Sequence, residues 1–140
     1  MVTMDDEKIT IDHIGIAVKS IDEMMRFYRD GLGIAEVHRE EVPSQKVKVA
    51  SFLVGQSALE LLEPTAPDSP VAVFIEKRGP GIHHIALAVD NIEEALAHVK
   101  EIGFRLIDEK PRIGAGGKKI AFVHPSAAQG VLIELCEIAE

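Results

Sequence analysis

The segment His13-Ile14-Gly15-Ile16-Ala17-Val18 returns 71 residues later as His84-Ile85-Ala86-Leu87-Ala88-Val89. Each copy runs into a helix start, Ser20-Ile21-Asp22-Glu23 after the first and Asn91-Ile92-Glu93-Glu94 after the second. The chain thus contains one pattern twice, with a histidine in register in both halves. Alternation predicts a strand over 11–18, with Ile14, Ile16 and Val18 on a packing face and His13, Gly15 and Ala17 on a roomier one. Ser20 with Glu23 reads as a capping box, Met24, Met25, Phe27 and Tyr28 form an apolar stripe, and Gly31 and Gly33 supply stops. A helix of about ten residues follows from that pattern. Strands are then expected over 34–39, 46–54 and 57–63, the last two joined by a turn at Gly55-Gln56.

Between the copies lie Pro64, Pro67 and Pro70, and then Val71 to Arg78 ending at Gly79. Ser69 as N-cap, Pro70 at the first helical position and Gly79 past the end predict a short linking helix, with Lys77 and Arg78 complementing the dipole at its C-terminus. The second half repeats the order: strand 82–89, helix 92–102 ending near Gly103, and strands near 104–108, 118–124 and 130–137. The repeat is longer than the 20-to-50-residue period of solenoids, so it reads as two copies of a βαβββ module. The expected fold is α+β: a single domain over 1–140, with module one about 11–63, a linking helix about 70–79 and module two about 82–137. The two modules are expected to form a curved mixed sheet around a metal-binding cleft, with helices outside.

At 140 residues and 46% hydrophobic content the chain can bury a core of ordinary size. No apolar run reaches the roughly 18 residues needed to span a bilayer, and the N-terminus is acidic where a signal peptide would be basic and then apolar. The expected location is the cytoplasm, away from membranes. Cys136 is the only cysteine and has no internal disulfide partner, which agrees with a reducing compartment. The balance of 15 basic against 23 acidic residues, a net charge of −8, argues against nucleic acid as a partner. A local basic cluster could still serve a small anionic ligand.

Chemistry enters through the last strand of each half, Ala58-Leu59-Glu60-Leu61-Leu62-Glu63 and Leu132-Ile133-Glu134-Leu135-Cys136-Glu137. Glu60 and Glu134 correspond. Each sits among apolar residues, where an unpaired charge costs several kcal/mol, so each calls for a cation or a donor. A metal shared by His13, Glu60, His84 and Glu134 would satisfy both. Two imidazoles and two carboxylates suit Zn, Co, Mn, Ni or Fe(II) better than Ca or Mg. Taken singly, a strand histidine is usually structural; the duplication is what favours a ligand role. His83 points away from His84 and is read as packing or surface. His38, His98 and His124 lack paired partners and are read as structural, and Cys136 as a small buried thiol.

Pro111-Arg112-Ile113-Gly114-Ala115-Gly116-Gly117-Lys118-Lys119 is a glycine-rich stretch flanked by bases. It reads either as a flexible hairpin connection or as a cradle of backbone N–H groups for a carboxylate or phosphate, with Arg112, Lys118 or Lys119 nearby. It lacks the spacing of a P-loop.

Through His13 to Val18, Glu60-Leu61-Leu62-Glu63-Pro64 and Val131-Leu132-Ile133-Glu134-Leu135, the chain resembles the vicinal oxygen chelate superfamily (glyoxalase, bleomycin resistance and dioxygenase proteins). Asp68-Ser69-Pro70, Gly81-Ile82-His83-His84-Ile85-Ala86, Asp108-Glu109-Lys110-Pro111-Arg112-Ile113-Gly114 and His124-Pro125 look like the methylmalonyl-CoA epimerase family, and the likeness covers nearly the whole chain. The resemblance implies a homodimer acting on an acyl-CoA, and a divalent metal, often cobalt, at positions matching His13, Glu60, His84 and Glu134. The Glu60 position is glutamine in some members. The implied reaction interconverts the (R) and (S) forms of methylmalonyl-CoA by proton transfer at C2, with Glu134 resembling one acid/base glutamate. Where some members carry a second, this chain has Val49, so Glu60 or a metal-bound water is the expected substitute. A lactoylglutathione lyase of the same superfamily would apply similar logic to a hemithioacetal, and only the epimerase-like motifs separate the two. A small-molecule-binding resistance protein, or a structural dimer with a vestigial site, would have no need of the paired histidines and glutamates.

Overall fold

The computed structural model describes residues 9–138. The acidic N-terminal stretch read above lies largely outside that range. The chain divides into two compact units, residues 13–83 and the remainder.

The unit of residues 13–83 contains β1 (Thr10–Ala17, shared at its start with the other unit), α1 (Ile21–Met25), β2 (Glu36–Val42), β3 (Val47–Val54), β4 (Ser57–Pro64) and α2 (Pro70–Arg78). β4 runs parallel to β1 and antiparallel to β3, which in turn pairs antiparallel with β2. Val18, Ile21, Met25, Ala50, Phe52 and Leu61 form the core between helix and sheet, with Ile16 packed against them. Burying a side chain the size of Phe52 or Leu61 contributes about 1.5–3 kcal/mol. Of the face predicted to pack, Val18 and Ile16 join this core, while Ile14 and Ile16 are only half-buried. The face read as roomier is the more buried of the two along β1, since His13, Gly15 and Ala17 are all covered.

Ser20 starts α1 with its hydroxyl oxygen accepting from the Glu23 N–H at 3.2 Å, while the Ile21 N–H donates to Glu63 Oε1 at 2.8 Å. The helix does not stay α-helical for the ten residues its stripe predicts. From Arg26 to Gly31 it widens into a π-helical turn, with the Leu32 N–H donating to Phe27 O at 2.9 Å. The Ile34 N–H is then spent on Tyr28 O, so β2 begins at Glu36, later than expected. Ser69 caps α2 by accepting from the Val71 N–H at 3.2 Å.

The other unit continues with β5 (Gly81–Val89, shared at its start with the first unit), α3 (Ile92–Ile102), β6 (Arg112–Ile113), β7 (Lys119–Val123) and β8 (Ile133–Glu137). β8 runs parallel to β5 and antiparallel to β7, which pairs antiparallel with β6. Asn91 caps α3 from the position equivalent to Ser20, its Oδ1 accepting from the Glu94 N–H at 3.0 Å. Val89, Ile92, Ala95, Leu96, Ala121, Val123 and Leu135 fill the space between α3 and the sheet. On the opposite face, Ala86, Ala88, Ile120, Phe122 and Cys136 form a second cluster. Both units are βαβββ modules with a mixed four-stranded sheet, and the fold class is α+β.

The strand expected near 104–108 is not there. That segment makes one bridge, Leu106 to Val123, and the edge strand of the sheet is Arg112–Ile113. The cause is Asp108. Both the Ile107 and Asp108 N–H groups converge on Phe122 O, and Asp108 Oδ2 accepts from the Phe122 N–H at 2.8 Å, taking the place of a strand carbonyl. Pro111 then offers no N–H to continue a ladder. At the other end, the Gly130 and Val131 N–H groups close a turn on Pro125 and Ala128, which delays β8 to Ile133.

Gly114 packs directly on the Ile120 side chain: a Cβ added there would lie 2.6 Å from Cδ1 of Ile120, a residue only 5% exposed. Gly114→Ala is expected to destabilise by about 1–3 kcal/mol through overpacking, read as a lower urea midpoint at unchanged slope. Adding Ile120→Val, which removes Cδ1, should recover part of the loss; a Gly114→Ala protein as stable as the wild type would refute the clash.

Candidate metal centre

The two histidine strands carry their histidines at equivalent register positions. In the first unit Gly15 faces Glu60 across the parallel β1/β4 ladder, and in the second Ala86 faces Glu134 across the parallel β5/β8 ladder. In each case the histidine lies two residues before the residue opposite the glutamate. Strand side chains alternate with a period of two, so histidine and glutamate share a face. Gly15 and Ala86 also leave room beside each carboxylate.

His13 Nδ1 lies 3.4 Å from Glu60 Oε2, and His84 Nε2 lies 3.5 Å from Glu134 Oε1. His13, His84 and Glu134 are buried, at 6%, 5% and 4% exposure. These separations are long for hydrogen bonds. Two ligand atoms each about 2.1 Å from one ion stand roughly 3.0–3.4 Å apart at octahedral or tetrahedral angles, so the pairs match the spacing of shared ligands. The donor set of imidazole and carboxylate also fits a first-row divalent ion. Phe122 meets the His84 ring edge-on, with centroids 5.6 Å apart and planes at 89°, and so steadies the ring plane. No local signal in the sequence marks this contact, because Phe122 reaches His84 through strand pairing.

Val49 is 3% exposed and faces Leu62 on β4 and Glu40 on β2. By strand parity it shares the face of Glu60 and brings no titratable group there.

The other candidates take structural places. His83 stacks edge-on against Phe74 at 5.1 Å, and burial pushes its imidazole pKa below the ordinary value. His38 is exposed beside Glu40, Nε2 to Oε1 at 3.2 Å. His124 caps a 3-10 turn, its Nδ1 accepting from the Ser126 N–H at 3.1 Å. His98 lies half-buried on α3. Cys136 is buried, with its thiol directed at Leu87 O at 3.7 Å.

The glycine-rich segment is a hairpin between β6 and β7. The Gly114 N–H donates to Lys118 O and the Gly117 N–H to Gly114 O, so these two amides close the turn and do not face an anion. Lys118 Nζ pairs with Asp12 at 2.8 Å, and Lys119 Nζ with Glu93 at 3.2 Å. Arg112 is placed differently: its Cζ lies 5.5 Å over the Phe122 ring, and its Nε is 3.6 Å from Asp108 Oδ2.

Known proteins share this arrangement of sequence and fold. Residues 12–122 match the model of the Glyoxalase/Bleomycin resistance protein/Dioxygenase superfamily. An uncharacterized protein of Bacillus subtilis is 51% identical over 91% of each chain. The mitochondrial methylmalonyl-CoA epimerase of Homo sapiens is 37% identical over 89% of this chain and 72% of its own. A solved methylmalonyl-CoA epimerase in complex with methylmalonyl-CoA and NH4+ superposes with a TM-score of 0.88 at 38% identity, covering 92% of this chain and 94% of that one. This chain belongs to the Glyoxalase/Bleomycin resistance protein/Dioxygenase superfamily and, within it, to the family of the methylmalonyl-CoA epimerases.

Proposed function

We propose that the protein interconverts (R)- and (S)-methylmalonyl-CoA by proton transfer at C2, with His13, Glu60, His84 and Glu134 holding one divalent metal. The observation that carries this reading is the repeated register: a buried histidine and a glutamate on one face of a parallel ladder, twice, in a chain related to epimerases of that name. Cobalt is the proposed ion, with Mn, Ni, Zn and Fe(II) compatible with the same donors. The proposed assembly is a homodimer in the cytoplasm; among the described residues no helix is long and apolar enough to cross a membrane.

The thioester makes the C2 proton acidic, and the barrier lies in the negative charge that develops as it leaves. A divalent ion would supply Lewis-acid stabilisation of that charge on the substrate oxygens. Glu134, ionised at the start, takes the proton from C2, the C–H electron pair moving into the enolate, and Glu60, which enters the step carrying a proton, delivers it to the opposite face of C2 and is left ionised. Return through the same groups in reverse order converts the other epimer. Glu60 receives this second role because Val49 offers no proton at the neighbouring position. The apolar surroundings of Glu134, with Phe122 opposite it on β7 and Ala86 on β5, keep bulk water from competing for the transferred proton.

The protein loaded with Co²⁺ should incorporate solvent deuterium at C2 of methylmalonyl-CoA, and chelation should abolish the incorporation. Absence of exchange at full metal occupancy would overturn the epimerase reading, and a hemithioacetal run alongside tests the lyase alternative. His84→Ala should lower both cobalt content and turnover; unchanged cobalt stoichiometry in that variant would remove His84 from the ligand set. Glu60→Gln keeps an oxygen ligand and loses the titrating carboxyl. It should retain cobalt and lose epimerisation by about 10²–10⁴-fold, whereas an undiminished rate would assign the second proton to another group.

A further inference from the structure

We infer that Arg112 is a substrate-recognition residue, which binds an anionic oxygen of the acyl-CoA beside the metal-ligand face of the second unit. The inference rests on the acyl-CoA reading above and adds to it a residue for which the reaction scheme has no role.

Four observations place Arg112 there. Ladder pairing puts Arg112 opposite Ile120, Ile120 opposite Cys136 and Cys136 opposite Ala88, while Phe122 faces Glu134 and Glu134 faces Ala86. Arg112, Ile120, Phe122, Glu134 and His84 therefore share one face of the β5-β8-β7-β6 sheet. On that face the guanidinium lies over the Phe122 ring, and the same ring meets His84 edge-on, so a single aromatic side chain separates the cation from the imidazole. Asp108 holds the Nε side of the group at 3.6 Å, and Asp108 is itself fixed by the Phe122 N–H. Finally, Arg112 remains 46% exposed in its side chain, and its polar and ring contacts among the described residues are with Asp108 and Phe122.

A guanidinium that lies over a ring and turns its Nε toward a carboxylate has its two Nη groups left to recognise a carboxylate or phosphate in a fork. The neighbouring lysines, Lys118 and Lys119, cannot serve equally, because each spends its one charged nitrogen on a carboxylate, whereas Arg112 meets Asp108 through Nε and keeps its Nη groups for a ligand. The protein carries a net charge of −8 and acyl-CoA is itself an anion, so a local cation at this face offsets the overall repulsion. The bound oxygen belongs either to the acyl carboxylate or to a CoA phosphate, and the two sources are separable by substrate.

The test compares wild type, Arg112→Gln and Arg112→Lys, all loaded with cobalt. C2 exchange and calorimetric affinity are measured on methylmalonyl-CoA and on methylmalonyl-pantetheine, which lacks the phosphates. Arg112→Gln should raise KM and Kd for methylmalonyl-CoA about 10- to 100-fold, as expected for losing a charged hydrogen-bonding group, with kcat changing far less and cobalt content retained. Arg112→Lys should fall between. The same rise with the pantetheine ester assigns the acyl carboxylate, and a rise confined to the CoA ester assigns a phosphate. Unchanged KM and Kd with both ligands, or a loss confined to kcat, overturns the inference, the latter because it would mark disturbance of Phe122 against His84. A wild type that binds the CoA ester without exchanging its proton defeats the epimerase reading alone, since Kd still decides for or against Arg112. A wild type that binds neither ligand overturns both.

Discussion

Each half of the protein depends on the register of one parallel strand pair. Glu60 must face Gly15, and Glu134 must face Ala86, for carboxylate and histidine to share a face. A slip of one residue would turn every side chain of the strand over. Glu60 would then enter the cluster of Phe52 and Met25, and Leu61 would take its place beside His13. In the other half Glu134 and Leu135 would exchange places in the same way. A carboxylate buried without a partner costs several kcal/mol, so the apolar pattern that builds the cores also aims the glutamates.

Contacts at the ends of these ladders hold the register. The Val18 N–H donates to Leu62 O, extending the β1/β4 pairing past the strand, and Glu63 reaches over to the first turn of α1. In the second half the Ile85 N–H donates to Leu132 O and the Ile138 N–H to Val89 O, extending the β5/β8 pairing at both ends. Phe122 then links sheet to side chain, with its backbone bonded to Asp108 and its ring between His84 and Arg112. The proposed catalytic face and the structural face of each sheet are thus two sides of the same hydrogen-bonded ladders.

The strand and helix order was largely legible because hydrophobic period and cap residues are local signals. Ser20 and Asn91 start their helices as their neighbours imply, and Ser69 does the same for α2. The misplaced elements share one cause: a backbone group already taken, by a short-range cap or turn before β2 and β8 and by a distant side chain near residues 104–108. Asp108 stands in for a strand carbonyl near residues 104–108, Tyr28 O takes the Ile34 amide before β2, and Pro125 O takes the Gly130 amide before β8. The glycine-rich segment admitted two readings for the same reason. Its composition suits both a hairpin and an anion cradle, and hydrogen bonding from Gly114 and Gly117 gives the hairpin.

From residue order alone came the duplication, the paired histidines and glutamates, and the membership in a family whose motifs they carry. Those features repeat within short stretches, and strand periodicity translates them directly into faces. Tertiary structure decided which histidine nitrogen meets which carboxylate oxygen, that Val49 is a buried neighbour of Leu62, and that Arg112 alone of the three loop bases lies on the ring against His84. These are contacts between residues brought together by strand pairing across long stretches of chain. Such contacts depend on how the backbone spends its hydrogen bonds in turns and bridges, which no local pattern records.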